Sequence, residues 1–238
     1  MRIFFAGASG AVGRRLVPLL LDAGHDITGM TRSAEAARDL KAAGVTPAIA
    51  DVYDADGLKR TVVAARPDIV MHQLTDLPRV FDETQIAAQY PRNARIRIEG
   101  TRNLVAAAKA AGARRFMVQS VAFAYAPGKE PYVETDPLNV ADGPRVVTVR
   151  AAADMEQQVL NSGMEAVVLR YGLFYGPGTW TETPERKPSL HIDAAAKAAL
   201  LALTCKPGIY NIADDDGTVS IDKARKELGF DPAFRLKA

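Results

Sequence analysis

Three glycines in Gly7-Ala8-Ser9-Gly10-Ala11-Val12-Gly13 stand between a short apolar run and an amphipathic stretch, and no other feature limits the chain as much. Residues 3–6 read as a buried strand, and residues 11–23 as a helix with Val12, Leu16, Leu19 and Leu20 on one stripe. Passing from one to the other needs a sharp turn. Glycine permits that turn and lets another backbone or a ligand approach closely. Such a junction belongs to a βα unit.

The alternation continues down the chain. Strands at 26–30, 45–50, 68–72, 114–119, 164–170 and 208–213 are interleaved with helices at 33–43, 54–65, 93–112, 148–162, 192–204 and 221–228, and Asp54 is placed to cap its helix. The strands are rich in Val, Ile and Phe without strict alternation, as expected of a parallel sheet covered on both faces. The expected fold is α/β: a doubly wound parallel-sheet Rossmann unit over 1–238, with a small C-terminal annex from about 175–205 and 214–238. Three segments break the rhythm, at 75–92, 121–147 and 175–189. They carry Pro, Gly and charge, as lids and binding loops do.

Charge excludes some partners. Thirty Lys plus Arg against 28 Asp plus Glu leave +2, which gives no reason to expect nucleic acid or an anionic membrane. Cys205 is the one cysteine, so an intramolecular disulfide and a Cys-rich metal site are both excluded. No His/Asp/Glu cluster has ligand spacing, and no metal is expected. No apolar run reaches the about 18 residues of a bilayer span. The chain enters structure at Met1 without room for a secretory leader, so a cytoplasmic setting is expected.

The glycine loop opens a helix, whose first N–H groups and positive dipole end suit a diphosphate. Gly7, Ser9, Gly10, Ala11, Val12 and Gly13 are the residues that would hold it, in the spacing G-x-x-G-x-x-G. No Gly-Lys-Ser/Thr follows, so this is not a nucleoside-triphosphate loop. The dinucleotide is chosen at the end of the second strand, where Thr31-Arg32-Ser33 stands in place of an acidic residue. Arg32 can grip a 2′-phosphate with its planar fork and Ser33 can add a donor, so NADP is expected over NAD, and Arg14 could add charge.

With these residues the chain resembles the extended or atypical short-chain dehydrogenase/reductases, the NAD-dependent epimerase/dehydratase superfamily. The resemblance extends through Asp51-Val52, His72-Gln73-Leu74-Thr75, Ile98-Glu99-Gly100-Thr101-Arg102-Asn103-Leu104, Phe116 to Ser120, Leu169 to Gly178, His191-Ile192-Asp193 and Pro207 to Ile212. It implies that Asp51 and Val52 contact adenine. It implies too that Gln73, Leu74, Thr75, Tyr171 and Gly172 line the ribose and nicotinamide side. Ser120 takes the place of the active-site Ser/Thr, and a small-molecule substrate is the implied partner. Helices 93–112 and 148–162 are where such proteins often form a homodimer.

The resemblance also implies a Tyr and a Lys four residues apart on the helix before the sixth strand, the Tyr moving a proton and the Lys lowering its pKa. Counting back from Glu156 puts Thr148 and Ala152 in those places, or Val149 and Ala153 with the register shifted by one; Arg150 is the only base nearby, and residues 148–162 contain no Tyr and no Lys. A literal match, Tyr125 to Lys129, contains Pro127 and Gly128, which break the helix that the spacing needs. Ser120 is then the candidate that polarises a carbonyl, and Tyr125, Tyr132 and Tyr171 are replacement acids, Tyr125 first. Asn93 reads as a helix cap or a nicotinamide contact, and His72 as a buried, hydrogen-bonded histidine before a proton carrier.

The favoured reading is an NADP-dependent oxidoreductase acting on a small carbonyl or alcohol with a non-standard proton donor. The alternatives are a non-catalytic NADP-binding redox sensor and, behind it, an epimerase or dehydratase.

Overall fold

Alternate side chains of the first strand, β1 (Arg2–Ala6), enter two different cores: Ile3 and Phe5 pack on one side and Phe4 and Ala6 on the other. The same division holds for β4 (Ile69–His72), with Ile69 and Met71 against Val70, and for β6 (Glu165–Tyr171), with Val167 and Leu169 against Ala166 and Val168. These strands therefore lie inside a sheet with helices on both faces. The structure is a computed structural model that describes residues 1–78, 83–143 and 145–236, with the backbone alone over 83–87.

The remaining strands of the sheet are β2 (Asp26–Thr31), β3 (Thr46–Ile49), β5 (Arg115–Val121) and β9 (Gly208–Ile212). All pair in parallel, in the order β3-β2-β1-β4-β5-β6-β9. One face carries α1 (Ala11–Asp22), α2 (Ala34–Ala42) and α7 (Ile192–Leu201), with Leu16, Leu20 and Leu40 in its core. The other carries α3 (Ala55–Ala65), α5 (Thr101–Ala110) and α6 (Val146–Leu160), with Val62, Leu104, Met155 and Val159. Phe4, Phe5 and Phe116 are fully buried, each worth about 1.5–3 kcal/mol of transfer free energy. Ala194, Ala195, Ala198 and Ala199 leave α7 no bulk between it and the core shared with α1. A short parallel pair, β7 (Leu173–Tyr175) with β8 (Ser189–His191), and α8 (Asp222–Leu228) complete the described residues. Among these, no helix is long and apolar enough to cross a membrane.

The sheet order reverses between β1 and β4, and in open α/β sheets the crevice at that switch point, beyond the carboxyl ends of the strands, takes the ligand. Local signals set the flanking elements: Asp54 Oδ1 accepts from Gly57 N at 3.0 Å and starts α3, as its position predicts.

Besides the β7–β8 pair, which the sequence reading lacks, one further segment departs from it. Residues 83–92, read as loop, are helical: α4 (Glu83–Arg95) runs through Pro91 and continues by a π-turn (Ile96–Gly100) into α5. Proline removes a helical donor and disfavours this continuity. Tertiary contacts outweigh it: Arg92 makes a two-pronged pair with Asp76 at 3.0 Å on both arms, and Asn93 Oδ1 accepts from Asp76 N at 3.0 Å. Asn93 therefore sits inside α4, buried, and does not cap a helix start.

Candidate active site

Gly7 has φ +108°, and a Cβ there would stand 2.7 Å from the Gln73 carbonyl oxygen; at Gly13 it would stand 2.3 Å from the Gly7 carbonyl oxygen. Only glycine fits either position. Gly10, between them, caps α1 with no side-chain hydrogen bond, and the first turn of α1 holds no acidic residue. The opening donors of this helix, around Ala11, Val12 and Gly13, thus face the crevice with no capping side chain over them. A diphosphate supplies the acceptor oxygens that such a terminus needs, so the residues fit a dinucleotide. Arg14 Nη1 donates to Ser9 O at 3.0 Å and pins the loop from the helix side.

At the end of β2, Arg32 is exposed, beside Tyr53. Ser33 is occupied: its hydroxyl accepts from Ala36 N at 3.2 Å to cap α2, and its own N–H donates to Thr31 Oγ1 at 3.1 Å. Ser33 is therefore a helix cap, while Arg32 beside it is exposed. Asp51 is exposed, with Oδ1 accepting from Tyr53 N at 2.9 Å, while Val52 is buried and its carbonyl takes a hydrogen bond from Asn103 Nδ2 at 2.9 Å.

Beyond β4 lies the inner end of the crevice. Leu74 N donates to His72 Nδ1 at 3.2 Å, which leaves Nε2 as donor to Thr101 Oγ1 at 3.0 Å. His72 is buried and hydrogen-bonded, as the sequence reading favoured, and burial, aided by the Arg97 charge, pushes its pKa down to about 3, so the ring is neutral. Gln73 is buried under Gly7; its Nε2 donates to Tyr171 Oη at 3.2 Å, and its Oε1 is buried with no partner among the described residues. Leu74 is half-buried and Thr75 exposed. Tyr171 is buried, and burial raises its pKa. It meets the crevice through Gln73, so it is unsuited to proton transfer. Gly172 serves the sheet: a Cβ there would stand 2.6 Å from Ser189 O.

The two candidate catalytic residues belong to one buried network. Ser120 Oγ donates to Glu156 Oε1 at 2.5 Å; Arg170 Nη2 donates to Glu156 Oε2 at 2.7 Å; and Arg170 Nη1 donates to Tyr125 Oη at 2.9 Å. Tyr125 in turn donates to Asn211 Oδ1 at 2.6 Å. Ser120 is 3 % exposed and its proton points at the Glu156 carboxylate rather than at the crevice. This corrects the sequence expectation, and the cause is Glu156, set inside a helix whose register periodicity alone does not reveal. Tyr125 lines a cleft of about 140 Å³ with Phe123, Asn139, Asp142, Arg145 and Val149. Its ring stacks on Tyr132 at 5.2 Å, and burial raises its pKa while the Arg170 charge draws it down. Tyr132 is tied to Gly128, its hydroxyl accepting from Gly128 N at 2.9 Å. Residues 125–129 are not helical, so the literal Tyr125/Lys129 spacing brings no pair together.

Residues 3–207 match the NAD dependent epimerase/dehydratase family. The chain belongs to that family. With the family come a nicotinamide dinucleotide and NAD(P)-dependent oxidoreductase chemistry of the short-chain dehydrogenase/reductase type. The chain is 37% identical over 239 residues to the 3-diazoavenalumate denitrifying reductase of a Streptomyces species, covering 91% of this chain and 77% of the relative. It is 27% identical over 180 residues to a 4-hydroxy-2-methyl-3-oxo-4-farnesyl-3,4-dihydroquinoline-1-oxide ketoreductase of Stigmatella aurantiaca, covering 74% of this chain and 51% of that one. Its fold is similar to the UDP-glucose 4-epimerase of Thermus thermophilus in complex with NAD, with TM-score 0.79 and 20% identity over 99% of this chain and 95% of the other.

In this epimerase/dehydratase-family chain, α6 carries neither Tyr nor Lys. Thr148 and Ala152, four residues apart on this helix, are both buried. Sequence reasoning missed Arg97, Arg170 and Asn211, which meet the site from the π-turn, β6 and β9. An Arg inside a periodic helix or strand ordinarily reads as solvated, and only burial distinguishes these.

Proposed function

We propose that the protein is an NADP-dependent reductase of a small carbonyl substrate, working with a non-standard proton donor. The uncapped start of α1 between Gly7 and Gly13 carries this reading: it needs an anion, and the exposed Arg32 stands at the end of β2 to take a further phosphate. Gly7, Gly10 and Gly13 with the N–H groups of Ala11 and Val12 hold the diphosphate. Asp51 and Val52 flank the adenine, and Leu74 and Thr75 flank the nicotinamide ribose. Gln73 Oε1, buried without a partner among the described residues, accepts a hydrogen bond there. When bound, the nicotinamide supplies the hydride. Tyr125 is assigned to proton delivery because it lines a cleft that Ser120 does not reach, and Arg170 stabilises the phenolate left behind. Two names among the relatives, a denitrifying reductase and a ketoreductase, support reduction as the direction.

A second reading, an NADP-binding redox sensor without turnover, is favoured by the absence of Tyr and Lys from α6. NADPH consumption followed by its absorbance against aldehydes, ketones, quinones and an aryl diazonium salt separates the two. The reductase reading requires turnover of at least one of these. Tight NADPH binding with none would transfer the assignment to the sensor. The second copy proposed for a homodimer would pack on α5 and α6, near the exposed Ile98 and Leu160. Light scattering tests it, a mass of one chain refuting it.

A further inference from the structure

Arg97, on the π-turn between α4 and α5, is 6 % exposed, and among the described residues no carboxylate lies within 4.0 Å of it. Its Nη1 donates to the Thr148 carbonyl oxygen at 3.1 Å, in the first turn of α6. A buried guanidinium held by a neutral acceptor is costly, and a π-turn inside a helix is often found at functional sites. The charged neighbours are few. Glu156 from α6 is close enough to raise its pKa, but Glu156 is already paired with Arg170 from β6; His72 from β4 is neutral. Burial lowers the Arg97 pKa to about 10, which leaves it charged at neutral pH. Two guanidiniums and one carboxylate thus leave a net positive charge under the first turn of α6.

We propose that Arg97 is a positioning residue that supplies, through the Thr148 turn, the fixed positive charge of the active site in place of the lysine that α6 lacks. The inference rests on the reductase reading. As a carbonyl is reduced, its carbon gains a hydride, the π pair moves to oxygen, and that oxygen then gains a proton. A preorganised cation favours the charge that develops on oxygen.

Two measurements test this. In a Cys205→Ser background, Thr148→Cys places a thiol on the residue that Arg97 holds, and the pH dependence of its alkylation by iodoacetamide reads its pKa. With Arg97 present the thiol pKa is expected at least one unit below that in the Arg97→Met double variant; equal values overturn the proposal. For turnover, 9,10-phenanthrenequinone is the acceptor. Arg97→Met is expected to lose about 100-fold in kcat, with the NADPH Kd within threefold of wild type, and Arg97→Lys to recover at least tenfold of that loss. A parallel loss of kcat, NADPH affinity and thermal midpoint, unrelieved by Arg97→Lys, marks a packing role and overturns it. Wild-type protein that binds no NADPH would refute the reductase reading instead, while the thiol titration still decides whether the charge is there.

Discussion

Arg170 and Glu156 form an ion pair of 2.7 Å with both side chains 4% exposed, and through it the end of β6 is joined to α6 and to the hydroxyls of Ser120 and Tyr125. Burial works against the Arg170 charge, but the hydrogen bond and charge of Glu156 carry its pKa upward. Replacing one partner strands the other. Arg170→Met is expected to cost about 3–5 kcal/mol of stability, because Glu156 is left charged and buried. Urea unfolding reads this directly; a loss below about 1 kcal/mol would show that water relieves the carboxylate.

Arg32→Ala removes the guanidinium at the end of β2. NADPH affinity is expected to fall by roughly 10- to 100-fold, the worth of a charge-assisted contact, with NADH affinity changed less than about threefold. Calorimetric titration of both cofactors checks it. Equal losses would mean that Arg32 does not read the 2′-phosphate.

Tyr125→Phe deletes the proposed proton donor and keeps the ring stacked on Tyr132. Turnover should fall about 100-fold or more with NADPH affinity unchanged, as for loss of a general acid. Steady-state kinetics showing less than a threefold effect would place the proton source elsewhere.

His72 gives a pH signature. Its folded pKa of about 3 lies below the unfolded value of 6.5, so the unfolded chain binds the extra proton and acid favours unfolding. This contribution is fully present above pH 6.5 and is lost as the pH falls toward 3, at up to about 1.4 kcal/mol per pH unit. His25 and His191 have pKa values lowered mainly by burial and act in the same sense. His72→Asn keeps an acceptor for Leu74 N and should show a shallower fall in urea midpoint between pH 6.5 and about 5. An unchanged slope would show that His72 is not the group responsible.

The βα order was legible because the strands of the seven-stranded sheet are short and alternate with helix signals, as at Asp54, whereas the three-residue β7 and β8 were not. The turn at the glycine loop was legible because it is a backbone property, set by Gly7 and Gly13 themselves. The helix through Pro91 was not: contacts of Arg92 and Asn93 with Asp76 decide it, and those join residues far apart in sequence. The same holds for Ser120, whose hydroxyl reads as catalytic until Glu156 is seen to accept its hydrogen bond. Local pattern gives the elements, while the partner of a buried polar group comes from topology.

The open start of α1 is the centre of the account, and Gly10→Asp tests it most directly. An aspartate at this N-cap can accept from the first-turn donors, and the extended backbone, φ −76° and ψ −178°, admits it once its Cβ eases away from Gly7 O, 3.2 Å off. It also places a carboxylate where the diphosphate should lie. Titration calorimetry should show NADPH binding weakened at least 100-fold while the thermal midpoint stays level or rises. NADPH bound by Gly10→Asp as tightly as by wild type would contradict the claim that this helix start holds the cofactor.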